Sequence, residues 1–156
     1  MFRAALAVSA ACSLVFACGG EQANEPSMTP ASGSLSFQDQ ANLGQRLFTE
    51  NCAKCHGNNG EGKMSASGMR APALVGIANG ALPLQPPPES KYRKKEFRTV
   101  ADIYDFVSHN MPPDNPGSLS SDEYWAILAF DLKANGIDLG QRKLDASNAG
   151  TLVIPR

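Results

Sequence analysis

Two cysteines separated by two residues, with a histidine directly behind the second, occupy Cys52 to His56 in "NCAKCHG". Both remaining cysteines, Cys12 and Cys18, belong to an N-terminal stretch of a different character. There Arg3 is the only charge, and "AALAVSAACSLVFAC" follows, apolar and rich in small residues. A charged start before an apolar run is the pattern of a secretion signal. The run is too short for a good membrane-spanning helix. Residues 1–18 are therefore read as a signal peptide, which leaves Cys52 and Cys55 as the thiols of an exported domain. Outside the cytoplasm, such a pair is free to form a disulfide.

The signal ends in "LVFAC", Leu14 to Cys18, which resembles the bacterial lipobox. In that motif the cysteine is lipidated and becomes the mature N-terminus. Phe16 is bulkier than the pattern favours, and the plainer alternative is ordinary cleavage nearby. Residues 19–36, with "GGEQANEPSMTPASGS", are small, polar and Pro-containing, and read as a flexible tether. A tether behind a lipid on Cys18 would keep the domain at a membrane. Formal net charge is −1, and no motif or basic face points to nucleic acid.

Three helices are expected over residues 37–138. "SFQDQANLGQRLFTENCAKCH" has Ser36 as N-cap with Asp39 in the first turn. Leu43 and Leu47 share one face, and Gly44 and Phe48 the adjoining stripe. A glycine in mid-helix costs roughly 1 kcal/mol relative to alanine, so Gly44 implies close approach of another backbone. "TVADIYDFVSHN" has Thr99 as N-cap with Asp102 behind it, and prolines stop it at "MPPDNPG". "SDEYWAILAFDLKANG" has a capping box of Ser120 and Glu123 and ends at Asn135 and Gly136. Between the first two helices runs a long connection rich in Gly, Asn and Pro, with short helical turns expected around Leu74 to Ala78. Such a loop needs something large to organise it. No strand pattern stands out. The tail, 139–156, either wraps the domain or frays.

The cysteine pair and His56 admit three chemistries. A zinc site needs about four ligands, and only Cys52, Cys55, His56 and His109 are on offer, three of them crowded onto one turn. A thioredoxin-like pair belongs in a βαβ setting, whereas this one ends a helix and enters a Gly-rich loop. The C-x-x-C-H spacing signals covalent haem attachment: two thiols add to the two vinyl groups, and the next residue turns its imidazole to the iron. The adjacency that hinders zinc is what haem requires. For the second axial position the candidates are Met64, Met69, His109 and Met111. Met64 and Met69 lie too close to the attachment site, where the chain has yet to cross the porphyrin edge. Met111, before Pro112 and Pro113 in a rigid extended segment, is favoured; His109 is its rival, with solvent exposure at the helix end as its plainer role. A His56/Met111 pair would favour ferrous iron and raise the potential relative to two histidines.

Taken in order, "LGQRLFTENCAKCHG", "APALVGI", "NMPP" and "LSSDEYWAILAFDLKANG" resemble a class I c-type cytochrome of the small bacterial kind, from about Phe37 to Gly136. The resemblance implies an all-α fold, three main helices with long irregular loops around one haem. It implies that the carbonyl of Pro72 accepts from His56 Nδ1 and that Leu74 packs on the haem. It implies that Gly44 and Phe48 meet the last helix near Ile127 to Phe130, with Trp125 in or near that core. The stretch from Gly80 to Phe97 is longer and richer in proline than in minimal relatives.

The expected function is single-electron transfer by an exported, lipid-anchored carrier on the periplasmic side of a bacterial membrane, not catalysis. Its partners would be a periplasmic dehydrogenase, whose electron-accepting module it could be, a quinol-oxidising complex or a terminal oxidase. A haem enzyme or gas sensor with an open sixth position is the alternative, and a passive lipoprotein without haem the remaining one. Asp102 and Glu123 are accounted for by capping, and no acid, base or nucleophile set is evident. The basic run Lys91, Arg93, Lys94, Lys95 and Arg98 either docks an acidic partner or is a solvated loop.

Overall fold

Ser36, Thr99 and Ser120 each start a helix in the same way. The side chain accepts from the backbone N–H three residues on, and the acid there, Asp39, Asp102 or Glu123, reaches back to the cap's own N–H. The three helices are α1 (Phe37–Asn51), α3 (Val100–Asn110) and α4 (Ser121–Ala134). One further turn, α2 (Ala53–His56), follows α1 directly, and another, α5 (Ala146–Ala149), lies in the tail. The coordinates are a computed structural model that describes residues 35–155 apart from 65–67, 69, 77–81, 83, 87, 89, 91 and 92. The signal and lipid readings on residues 1–18, and nearly all of the tether, lie outside the described residues. Among the described residues, no helix is long and apolar enough to cross a membrane.

α1 and α4 cross at Gly44. A Cβ built there would lie 1.8 Å from the Ala126 carbonyl oxygen, so only glycine allows this approach. Phe48, one turn on, meets Phe130 at 5.1 Å between ring centroids. α4 is buried on nearly every side from Tyr124 to Leu132. α3 packs on it through Val100 and Ile103, and Tyr104 stacks on Trp125 at 3.7 Å between ring centroids. The tail wraps rather than frays. Leu139, Leu144, Ala149 and Ile154 join the same core as Phe37, Trp125 and Leu128. Val153 pairs antiparallel with Thr99, and the Ile154 N–H donates to Arg98 O.

Two expectations change. Among the described residues there is one short antiparallel strand pair, β1 (Lys63–Met64) with β2 (Arg70–Ala71), in the register Lys63 to Ala71 and Met64 to Arg70. Residues 72–76 form no helical turn, while Ile77 and Ala78 lie outside the described residues. The basic run is largely engaged within the fold. Arg93 is buried with its guanidinium 3.9 Å over the Phe97 ring, and it donates to Gln85 O. Arg98 pairs with Glu96 at 2.6 Å, and Lys94 donates to Ser90 O. Lys91 lies outside the described residues.

Candidate functional site

Cys52 serves two helices. It ends α1, its N–H donating to Phe48 O at 2.8 Å, and it opens the single turn of α2. The N–H groups of Cys55 and His56 both return to Cys52 O, at 3.1 and 2.9 Å. One turn therefore presents both thiols and the imidazole. Cys52 is half-buried, Cys55 is exposed, and the two are not joined as a disulfide.

The glycines after His56 decide where the chain goes next. The Gly62 N–H donates to His56 O at 2.7 Å, and Gly62 has φ +80. A Cβ there would lie 2.7 Å from Ala73 N. β1 and β2 can then return the chain beside the turn, held by Leu74 N–H to Gly60 O at 2.7 Å. That return brings Pro72 O to 2.9 Å from His56 Nδ1. A carbonyl only accepts, so Nδ1 carries the hydrogen and Nε2 keeps its lone pair. Burial lowers the His56 pKa, opposed by the Pro72 bond, and this favours the neutral ring a metal needs.

Cys52 borders an apolar bed. Phe48, Ala53 and Ile127 form its buried part, and Leu47, Leu74, Leu119 and Phe130 are only partly covered. Burial first, then the nearby Asp131 carboxylate and Cys55, pushes the Cys52 thiol up to about 12. Such a thiol is not a resting thiolate, which disfavours disulfide exchange as its task. Among the described residues, no three His, Cys, Asp or Glu side chains are grouped to hold a bare metal ion. Two unbridged thiols on one turn, an oriented imidazole and a partly open apolar bed fit a flat, covalently held macrocycle.

Met111 follows α3 in extended backbone, φ −124 and ψ 147, and is half-buried. Its N–H donates to Val107 O at 2.9 Å, and its carbonyl accepts from the Tyr124 hydroxyl at 2.6 Å. Both neighbours thus hold the segment from its two sides. His109 is exposed, with Nδ1 2.7 Å from Asp105 O. Met64 is also exposed, and Met69 lies outside the described residues. Lys54, between the two cysteines, reaches Asp114 behind Met111 at 3.8 Å.

Three contributors to the site come from the packed structure. Tyr124 anchors Met111. Asn135 was legible only as a cap, yet its Nδ2 donates to Leu74 O at 2.7 Å and its Oδ1 accepts from Gly76 N–H at 2.6 Å. Asp131 is buried, and its signal was available: a lone acid inside the apolar run "AILAFDL".

Residues 39–130 match the family described as Cytochrome C oxidase, cbb3-type, subunit III. A thiosulfate dehydrogenase of Stutzerimonas stutzeri (strain A1501) is 27% identical over 93 residues, 56% of this chain and 25% of the relative. The crystal structure of the sulfane dehydrogenase SoxCD from Paracoccus pantotrophus superposes with a TM-score of 0.54 at 30% identity, covering 77% of this chain and 58% of that one. The chain thus spans about a quarter of the curated relative and little more than half of the solved one.

Proposed function

The chain belongs to the Cytochrome C oxidase, cbb3-type, subunit III family, and we propose that it relays single electrons between a periplasmic dehydrogenase and a membrane oxidase. It is a class I c-type cytochrome with one covalent haem c and serves electron transfer rather than catalysis. The haem supplies a one-electron ferric/ferrous couple when bound. Sγ of Cys52 and Sγ of Cys55 would hold it covalently. Nε2 of His56 and Sδ of Met111 would be its two iron ligands from the chain. The observation that carries this assignment is the 2.9 Å bond between His56 Nδ1 and Pro72 O, which aims the remaining nitrogen away from the backbone. Tyr124 steadies Met111 through its carbonyl. With His56 and Met111 both engaged, the chain would leave no ligand position for oxygen or carbon monoxide, which suits one-electron transfer.

Both relatives are named as dehydrogenases of sulfur compounds, thiosulfate and sulfane. They support a donor of that class, an enzyme that oxidises a sulfur compound outside the cytoplasm. The apolar signal-like start and the lipobox-like "LVFAC" support export and a lipid anchor on Cys18.

The test is an optical spectrum of protein exported by a host able to mature haem c. Bands that survive denaturation, a sulfur-to-iron charge-transfer band when oxidised, and no response of the reduced form to carbon monoxide are expected. Prompt carbon monoxide binding by the parent would remove Met111 as a ligand. Loss of the charge-transfer band in Met111→Ala, with carbon monoxide binding gained, would confirm it.

A further inference from the structure

Asp131 is a buried acid on the side of α4 that meets the attachment turn. Only 7% of its surface is exposed, and its Oδ1 is buried with no hydrogen-bond partner among the described residues. It follows Phe130 and lies one turn after Ile127, both part of the apolar bed beside Cys52. Its charge reaches Cys52, where it helps raise the thiol. A carboxylate left unpaired in such a place is costly, and the group remains protonated well above its usual range. Burial pushes it up to about 8.

Among the described residues, no other titratable side chain explains a proton at this place. The face of α1 packed on α4 is Phe37, Gln40, Ala41, Gly44 and Phe48, all uncharged, while Asp39, Arg46 and Glu50 are exposed. On α3, Asp102, Asp105 and His109 are exposed. On α4, Asp122 and Glu123 lie at the far end, and Lys133 donates to Gln38. Residues 74–76 carry no charge and are tied down by Asn135. His56 is committed to Pro72 on one nitrogen and, as proposed, to iron on the other. Cys52 becomes a thioether once haem is attached and no longer titrates.

Resting on the haem reading above, we propose that Asp131 couples electron transfer to a proton, its carboxylate taking one from water when the cofactor at Cys52 is reduced and returning it on oxidation. The electron comes from the redox partner and the proton from solvent, so the reduced protein gains one of each, the proton only in the pH range where Asp131 titrates. The oxidised centre carries one more positive charge and stabilises the carboxylate nearby. The reduced centre does not, so reduction raises the carboxyl's proton affinity. By linkage, protonation raises the potential by the same free energy. The potential therefore falls with rising pH between two plateaus. Each tenfold difference in proton affinity between the two redox states separates the plateaus by about 59 mV.

The test is a spectroelectrochemical titration of the holoprotein from about pH 5 to about pH 10. The parent and Asp131→Glu are expected to show the fall, and Asp131→Asn a flat potential at or above the parent's acid plateau. A flat parent overturns the proposal, as does an Asp131→Asn protein that keeps the parent's slope, since the proton then belongs elsewhere, for example to a haem propionate. Should Asp131→Asn yield no holoprotein, reduced-minus-oxidised infrared spectra of the parent with isotope-labelled aspartate replace it. A protonated aspartate carbonyl gained on reduction supports the proposal, and no labelled band overturns it. A parent without c-type bands overturns the haem reading and this inference with it; a flat potential in an intact holoprotein overturns the inference alone.

Discussion

Gln40 and Leu144 exchange two hydrogen bonds, both 2.8 Å, across 104 residues of chain. The Gln40 amide donates to Leu144 O, and its carbonyl accepts from Leu144 N–H. Both residues are fully buried. This one side chain satisfies the backbone of the tail where it enters the core. Gln40→Leu would strand both Leu144 groups, each at about 1–3 kcal/mol. We expect a stability loss of about 2 kcal/mol or more in urea denaturation. A loss under about 0.5 kcal/mol would mean that the tail is held by its apolar contacts alone.

Gly44→Ala should be among the most damaging small substitutions. Its Cβ would overlap the Ala126 carbonyl, which is backbone and cannot rotate away. Separating α1 from α4 would also part Phe48 from Phe130. Overpacking costs typically about 1–3 kcal/mol, and this contact sits at the upper end. Thermal unfolding of the holoprotein measures it, and an unchanged midpoint would refute the close crossing.

Stability should fall as pH rises through the Asp131 window. The folded protein holds this proton up to about pH 8, whereas an unfolded aspartate releases it near pH 4. Between those values the native state binds more protons, so its stability falls by up to about 1.4 kcal/mol per pH unit. The contribution is complete below about pH 4 and gone above about pH 8. Asp131→Asn should flatten that slope in denaturation curves taken across the window. An identical slope in both proteins would mean that Asp131 ionises freely.

Asn135→Ala removes the donor to Leu74 O and the acceptor of Gly76 N–H. The global loss should be about 1–2 kcal/mol. The sharper readout is amide exchange, where Gly76 should speed up while the α4 amides stay protected. Unchanged exchange at Gly76 would show that the strap holds without Asn135.

Tyr124→Phe leaves Met111 O without its hydroxyl donor. A loss of about 1 kcal/mol is expected, together with carbon monoxide binding by the reduced protein that the parent lacks. A variant as unresponsive to carbon monoxide as the parent would detach Tyr124 from the hold on Met111.

Local rules carried the reading a long way. Ser36, Thr99 and Ser120 announce helix starts because their capping partners lie three residues away, within reach of any short stretch of chain. Cys52, Cys55 and His56 declare their chemistry because attachment needs all three on one turn, and spacing alone secures that. Gly44 also showed, as an unfavourable residue in a helix, that another backbone must come close.

Long-range partnerships were not legible. That the tail wraps depends on Gln40 meeting Leu144, which no local pattern encodes. The β1–β2 return that sets Pro72 beside His56 arises from two-residue strands, too short for any alternation, and from positive φ angles at Gly60 and Gly62. The basic run shows the same limit, for Arg93 looks solvated by composition yet lies buried over Phe97. Capping, helical period and covalent spacing are properties of neighbours along the chain, so the amino-acid order determined the three long helices and the attachment turn. Burial, orphaned polar groups such as Asp131 Oδ1, and hydrogen bonds between distant segments exist only once the helices have packed, so the fold alone decided them.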